Sequence, residues 1–167
     1  MNKRQLLAYV AEQYGVVPDY PWTGTSSVNA VLRHPSNSKW FALVLPVAGC
    51  KLGLSTKKTV EIVLLKNDPL VITQLREQAG IYLAYHMNKE HWISVVLESD
   101  VCDAQGARSY DWHDFETVSD EQLMELIDTS FILTAPRIQP KAQTHGTIQG
   151  KTQGTTAQQH EGKSHGR

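Results

Sequence analysis

The chain has 167 residues, of which 41% are hydrophobic and 20% are charged, and its formal net charge is -1. That length supports one compact domain with a sizeable core and is short for two. The near-neutral charge argues against a surface coated with positive charge, and therefore against strong non-specific binding to polyanions. The charge is unevenly distributed, because residues 138–167 carry +3 and residues 1–137 carry -4.

Cysteine content and hydropathy bear on where the protein works. Cys50 and Cys102 are the only two thiols, and they form no CxxC motif, which fits a reducing compartment. No stretch approaches the ~20 apolar residues of a membrane span, and the first residues lack the apolar run of a signal peptide. We therefore expect a cytoplasmic protein with no membrane partner, and a monomer is the favoured assembly.

The first half of the chain predicts one helix followed by three strands. Apolar residues recur at helical spacing over residues 3–14, and Gly15 follows as a stop. Residues 28–33 and 39–47 flank a segment with the composition of a hairpin loop. The second of these runs is apolar at odd and even positions alike, which favours an interior strand covered on both faces, or at least one whose outer face carries an aromatic patch. Alternation around Ile62 marks a third strand.

The second half predicts a helix, a strand and a last helix. Asp68 and Pro69 are typical of a helix start, and we expect that helix to run to about Ala79 with Gly80 as its cap. The stretch from Tyr85 to Trp92, rich in polar and aromatic residues, opens the strand over residues 93–97. The last helix follows Ser119, which has a glutamine at the spacing of a capping box.

From residue 138 onward the composition changes to glutamine, threonine, glycine, lysine and histidine. Such a segment buries too little apolar surface to offset an ordering entropy of about 1–2 kcal/mol per residue. We therefore expect a domain over residues 1–137 and a disordered polar tail over residues 138–167.

Several short strings resemble the MmcQ/YjbR family over roughly residues 1–135. They are Lys39-Trp40-Phe41-Ala42, Leu65-Lys66-Asn67-Asp68-Pro69, His86-Met87-Asn88-Lys89 with His91-Trp92, and Leu126-Ile127-Asp128 with Ser130-Phe131. The resemblance implies an α+β fold of the frataxin-like (CyaY-like) type, in which an antiparallel sheet packs against helices. It also implies DNA binding through a "double wing", an arrangement of hairpins.

The sequence departs from the family pattern at one internal position. After the strand that follows His91-Trp92, the family passes almost directly into its last helix, whereas here about fifteen residues are inserted, at about 104–118. If this insertion folds over the sheet, any binding face there is altered.

The residues give little support to metal binding or catalysis. His86 and His91 lie five residues apart across a turn, but no cysteine or carboxylate pair accompanies them, so they make a poor metal site. The sequence contains no G-x-S-x-G elbow, no P-loop, no G-x-G-x-x-G and no H-E-x-x-H. We therefore expect no catalytic residues, no metal and no cofactor.

DNA is the partner that the resemblance and the charges favour. Lysines, asparagines and histidines at hairpin tips could contact phosphates or bases. The candidates are Arg33, His34, Asn37 and Lys39 on one arm, Lys51, Lys57 and Lys58 on another, and Asn88, Lys89 and His91 at the turn before the last strand. We expect weak, salt-dependent DNA binding. A module that binds a protein or a small ligand is the alternative, and an enzyme is third.

Overall fold

The structure is a computed structural model that describes residues 1–24, 28–98 and 115–137. The predicted tail and most of the predicted insertion lie outside these residues, so the predicted domain limits stay predictions. The described chain forms a five-stranded sheet in which all neighbouring strands pair antiparallel. Three helices accompany it. The predicted α+β fold with an antiparallel sheet is therefore confirmed.

The elements follow one another in a simple order. The strands are β1 (Ala30–Arg33), β2 (Trp40–Ala48), β3 (Thr59–Lys66), β4 (Ile81–Leu83) and β5 (Trp92–Val96). They lie side by side in the order β1-β2-β3-β5-β4. The helices are α1 (Lys3–Tyr14), α2 (Pro69–Leu75) and α3 (Asp120–Thr134). None of the described helices is both long and apolar enough to cross a membrane.

Local signals place the first and last helices where the sequence predicts them. The side chain of Asn2 accepts from the backbone of Gln5, and Gly15 ends α1 with a φ of 64°. The hydroxyl of Ser119 accepts from the backbone nitrogen of Gln122 at 3.2 Å, which is the Ser119 half of the predicted capping box. The Gln122 side chain hydrogen-bonds the side chain of Gln78, which links α3 to the segment after α2.

The sheet has a buried cluster on each face. On the helical face, side chains of α1 and α3 pack against side chains of the sheet. The buried helix residues include Leu6, Val10, Leu123 and Ile127, and the buried sheet residues include Phe41, Val63 and Ile93. On the other face, which we call the outer face, the buried side chains include Val31, Leu43, Leu45, Ile62, Leu64 and Val96. β2 contributes to both clusters, so the prediction that it is an interior strand covered on both faces is confirmed.

The predicted end of α2 is wrong. The helix ends at Leu75 with Arg76 as its cap, four residues before Ala79. Gly80 has a φ of 83° and lies against the backbone of residues 116–118, so a tertiary contact decides its conformation. β4 follows Gly80 directly, and the sequence did not predict this short edge strand.

Candidate nucleic-acid interface at one end of the sheet

The register of the sheet divides the ten candidate residues between two opposite ends. Arg33 pairs with Trp40, and Lys66 pairs with Trp92, so the turn at 34–39 and the segment 84–91 share one end. We call this the Trp92 end. The loop at 49–58 joins β2 to β3 at the opposite end, where Ala48 pairs with Thr59. At about 3.4 Å per residue, the nine-residue β2 holds the two ends on the order of 25 Å apart.

Cations and tryptophans alternate across the outer face at the Trp92 end. Arg33 lies on β1, Trp40 on β2, Lys66 on β3 and Trp92 on β5, in the order of the sheet. Both tryptophans pack against the outer-face cluster, and side chains of paired residues project from the same face. We call these four residues the outer-face row.

Arg33 is held in place by contacts with Trp40, Asp19 and the backbone carbonyl of Ser38. Its guanidinium carbon lies 5.5 Å from the centre of the Trp40 ring, within the range of a cation–π contact. Its Nε donates to the carboxylate of Asp19 at 2.9 Å. Trp22 meets Trp40 edge to face, with ring centres 5.7 Å apart. The guanidinium is therefore oriented before any ligand arrives.

The chain after β4 turns over the outer face because a buried serine holds it there. The hydroxyl of Ser94 donates to the carbonyl oxygen of Leu83 and accepts from the backbone nitrogen of Tyr85, both at 3.0 Å. Tyr85 and Met87 then pack against the outer-face cluster. This arrangement brings the segment 84–91 beside Trp92.

His86 has an unusual backbone conformation in this segment. Its φ is 57°, a left-handed value that is uncommon for residues other than glycine, although histidine adopts it more often than most. Its exposed ring lies 4.0 Å from the ring of Tyr85. The turn therefore projects an imidazole next to an aromatic ring at the rim of the outer face.

The three candidates in the segment 84–91 differ in what they can offer. Asn88 uses its side-chain oxygen to accept from the backbone nitrogen of Glu90 at 2.8 Å, so it holds the turn. The backbone carbonyl of His91 accepts from Asn67 at 2.9 Å, and its ring is half-buried. Lys89 is exposed, and its ammonium is the group best placed to reach a ligand in solution.

His34 and Asn37 have structural contacts that compete with a role in binding. The ring of His34 is 5% exposed, stacks 4.3 Å from Phe131 and accepts from the backbone of Ser36. The Asn37 amide donates to the carbonyl of Thr134 at 2.8 Å and accepts from Lys39 at 3.0 Å. We therefore leave His34 and Asn37 out of the candidate interface, which keeps the exposed Lys39.

The lysines of the β2–β3 connection form a separate surface. Lys51 lies in the 3-10 turn Gly49–Leu52, and Lys57 and Lys58 precede β3. All three are exposed. A cavity of about 470 Å³ lies beside them, lined by residues 53–56 and Phe115. These residues cannot join the outer-face row in one compact site.

The residues that give the row its character are not among the ten predicted contacts. In the sequence, Trp40 and Lys66 stand only within strings that carry the family resemblance, and no pattern marks Asp19. The row is assembled by pairing between strands, so its alternation of charge and aromatic ring has no counterpart along the chain. Only a predicted register could have found it.

A polar cluster on the helical face is distinct from the row. The hydroxyl of Tyr9 donates to Asp128 at 2.7 Å, and the hydroxyl of Tyr14 donates to the same carboxylate oxygen. Burial, followed by the hydrogen bond and the charge of Asp128, raises the pKa of Tyr14 well above its ordinary value. Within residues 1–24, 28–98 and 115–137, no three His, Cys, Asp or Glu side chains come together as a metal site.

Comparison with protein families identifies the chain. The family model for YjbR matches residues 11–133, a range that contains every strand and all ten candidate residues. The chain belongs to the YjbR family. The predicted family resemblance is thereby confirmed.

Relatives of this YjbR protein share both sequence and fold. The uncharacterized protein YyaQ of Bacillus subtilis (strain 168) is 43% identical over 98 residues, which are 59% of this chain and 82% of YyaQ. A Pseudomonas syringae protein with a crystal structure is 36% identical to this chain, with a TM-score of 0.66. The match covers 81% of this chain and the whole of the Pseudomonas syringae chain. Protein DR2400 of Deinococcus radiodurans, at 24% identity and a TM-score of 0.53, shares the fold; the match covers 84% of this chain and 83% of DR2400.

Proposed function

We propose that this YjbR protein binds DNA weakly, in a salt-dependent manner, through the Trp92 end of its sheet. One observation carries the proposal: four cations, Arg33, Lys39, Lys66 and Lys89, lie at the same end of the sheet as Trp40 and Trp92. Cations can neutralise phosphates, and aromatic rings can contact bases or sugars. Of the two wings that the family resemblance implies, the β1–β2 turn belongs to this end and the β2–β3 hairpin to the other.

The charge balance makes the expected binding weak. The whole chain carries a net charge of -1, and Asp19, Asp68 and Glu90 lie among the cations at or near the Trp92 end. Few phosphates are neutralised by such a surface. A dissociation constant on the order of 10⁻⁴–10⁻⁶ M at physiological salt fits this balance.

The test compares two double variants that remove the same charge from opposite ends. Lys39→Gln/Lys89→Gln alters the Trp92 end, and Lys51→Gln/Lys57→Gln alters the β2–β3 hairpin; all four lysines are exposed. Fluorescence anisotropy with a short duplex at several salt concentrations gives the slope of log affinity against log salt. Each lost phosphate contact flattens that slope by about 0.9. We expect a flattening of up to ~1.8 for the first variant and none for the second.

The outcomes separate the site from the function. Circular dichroism establishes that both variants are folded, since exposed lysines usually change stability by less than ~0.5 kcal/mol. A larger effect of Lys51→Gln/Lys57→Gln would move the site to the β2–β3 hairpin. Absence of binding by the unaltered protein at about 50 mM salt, where electrostatic contacts are strong, would refute the DNA proposal.

A module that binds a small ligand is the second candidate, and a groove between α2 and α3 favours it. This groove has a volume of about 350 Å³ and combines apolar and polar side chains, among them Leu75, Leu126, Gln74, Gln122 and Glu125. Ligand pockets of this size with a few polar groups are common. A thermal-shift screen with nucleotides and metal ions would favour this function if a compound stabilised a protein that showed no DNA binding.

A further inference from the structure

We infer that the outer-face row takes unpaired bases, so that the protein prefers single-stranded to duplex DNA. The inference rests on the proposed function and names the form of DNA that the same site would take. It depends on the order of side chains across the sheet: Arg33, Trp40, Lys66 and Trp92.

The chemistry of the row selects a ligand that is both flat and anionic. A cationic ligand would be repelled by Arg33 and Lys66, although aromatic rings alone would attract it. A purely apolar ligand would cover these two charged side chains without offering either of them a hydrogen-bond acceptor. A nucleotide has an aromatic ring that stacks on an indole and a phosphate that pairs with a cation, so it satisfies both kinds of group.

The spacing of the row suits several nucleotide units. Neighbouring strands lie about 4.8 Å apart, so Trp40 on β2 and Trp92 on β5, with β3 between them, are about 10 Å apart across the sheet. The cations Arg33 and Lys66 alternate with them at similar intervals. The Trp40 ring already holds Arg33 and Trp22. A strand that crosses the outer face can therefore stack a base on Trp92 while its phosphates approach Lys66 and Arg33.

Duplex DNA cannot use these rings in the same way. Its bases are stacked on each other, and their faces are not free for an indole, whereas the bases of a single strand are. The tryptophans are also anchored, because one side of each packs against the outer-face cluster. The partly buried ring of Trp92 therefore loses little freedom when a base stacks on it.

Asp19 limits the affinity of this surface. Its carboxylate holds the Nε of Arg33 at 2.9 Å and therefore competes with a phosphate for the guanidinium. Asp19→Asn keeps the size of the side chain and removes its charge. We expect this variant to bind single-stranded DNA more tightly than the unaltered protein does.

The experiment measures the binding of three probes to the full chain by anisotropy and by quenching of tryptophan fluorescence. The probes are an oligothymidylate of about 12 nucleotides, a duplex of the same length, and thymidine monophosphate. We expect the oligothymidylate to bind on the order of tenfold more tightly than the duplex, because each stacked base contributes on that scale. Trp92→Leu should remove this preference, and Trp92→Phe, which keeps an aromatic ring, should retain part of it.

Each outcome bears on one of the two proposals. Equal affinity for the single strand and the duplex would overturn this inference and leave the proposed function standing. If neither the single strand nor the duplex binds, both this inference and the proposed function are overturned. Equal affinity for the monophosphate and the oligonucleotide would overturn the inference in favour of a small nucleotide ligand. If Trp92→Leu fails to fold, Trp92→Met, whose longer apolar side chain also lacks an aromatic ring, provides the same test, with Lys51→Gln/Lys57→Gln as the control that keeps the preference.

Discussion

The side-chain nitrogen of Asn37 donates a hydrogen bond to the carbonyl oxygen of Thr134 at a distance of 2.8 Å. Thr134 is the last residue of α3, where backbone carbonyls have no partner within the helix. The side-chain oxygen of Asn37 accepts from the backbone of Lys39 at 3.0 Å. Asn37 therefore fixes the β1–β2 turn to the end of a helix 97 residues later in the chain.

Asn37→Ala should lower the free energy of unfolding by about 1–3 kcal/mol, because it leaves a buried carbonyl and a backbone N–H without these partners. Urea denaturation measures the change. Ser36→Ala in the same exposed turn is the control, since Ser36 contributes its backbone nitrogen and keeps it in the variant. Equal stability of the two variants would show that the Asn37 contacts contribute nothing measurable.

The same variant separates folding from DNA binding. At a temperature where Asn37→Ala is fully folded, its affinity for duplex DNA and the salt slope should equal those of the unaltered protein. This follows because both polar groups of Asn37 are used within the fold. A flatter salt slope in the folded variant would restore Asn37 to the interface.

Ser130 links β2 to β3 at the Trp92 end of the sheet, one residue past Ala42 and Leu65, where the pairing of the two strands ends. Its buried hydroxyl accepts from the backbone nitrogen of Lys66 at 2.7 Å and donates to the carbonyl of Phe41. Ser130→Ala should lower the free energy of unfolding by about 1–3 kcal/mol, since both backbone groups lose their partner. Alanine is the better helix former, so helix propensity would act in the opposite direction.

The control for Ser130 is the adjacent residue on the same helix. Thr129 lines the groove between α2 and α3, so Thr129→Ala removes a hydroxyl without touching the strands. Chemical denaturation should show a loss for Ser130→Ala that exceeds the change for Thr129→Ala. A smaller loss for Ser130→Ala would mean that water replaces the hydroxyl between Phe41 and Lys66.

The sequence predicts the elements whose signals are local. The bounds of α1 agree with the structure because apolar spacing and the glycine stop lie within the helix itself. The sequence predicts His34 as a DNA contact at a hairpin tip, yet His34 is buried and its ring stacks on Phe131, which a distant helix supplies. Lys66 and Trp92 become neighbours only through the pairing of β3 with β5. The site depends on such long-range contacts more than the fold does, so less of it was predictable.

Gly80 is a position where conformation and space both require glycine. Its φ is 83°, and a Cβ there would lie 2.9 Å from the carbonyl oxygen of Glu116 and 3.0 Å from the backbone of Thr117 and Val118. Gly80→Ala should therefore destabilise the protein by more than the ~1–2 kcal/mol that a left-handed conformation costs alone. Thermal or urea denaturation measures the change.

Gly15 is the matched control for Gly80. It has a φ of 64°, and a Cβ there would meet nothing within 4 Å, so Gly15→Ala carries the conformational cost without the clash. The difference between the two variants reports the close approach of residues 116–118 to the start of β4. Equal losses would show that the backbone after Phe115 moves aside.

The last prediction concerns the polar cluster of Tyr9, Tyr14 and Asp128. The pKa of Tyr14 is raised by burial first, and then by its hydrogen bond to Asp128 and the charge of that carboxylate. The pKa of Tyr9 is raised by the same causes in the same order. In the unfolded chain these phenols lose their protons near the ordinary tyrosine pKa of 10.0. In the folded protein they still keep their protons at that pH.

The sign of the effect follows from proton binding. Above about pH 10 the folded state holds more protons than the unfolded state, so stability falls as the pH rises. The stabilisation from these phenols is fully present below pH 10 and is lost above it. One such group contributes a slope of at most about 1.4 kcal/mol per pH unit.

Between about pH 10 and pH 11 the free energy of unfolding should fall less steeply with pH in Tyr14→Phe than in the unaltered protein. The difference in slope should be at most about 1.4 kcal/mol per pH unit. The variant also loses the hydrogen bond to Asp128, so its stability at pH 7 falls, and the readout is the slope and not the absolute value. Asp128→Asn should give an intermediate slope, because burial of Tyr14 remains while the carboxylate charge is gone. Urea denaturation at closely spaced pH values measures all three proteins. Parallel curves for Tyr14→Phe and the unaltered protein above pH 10 would show that Tyr14 ionises alike in the folded and unfolded states.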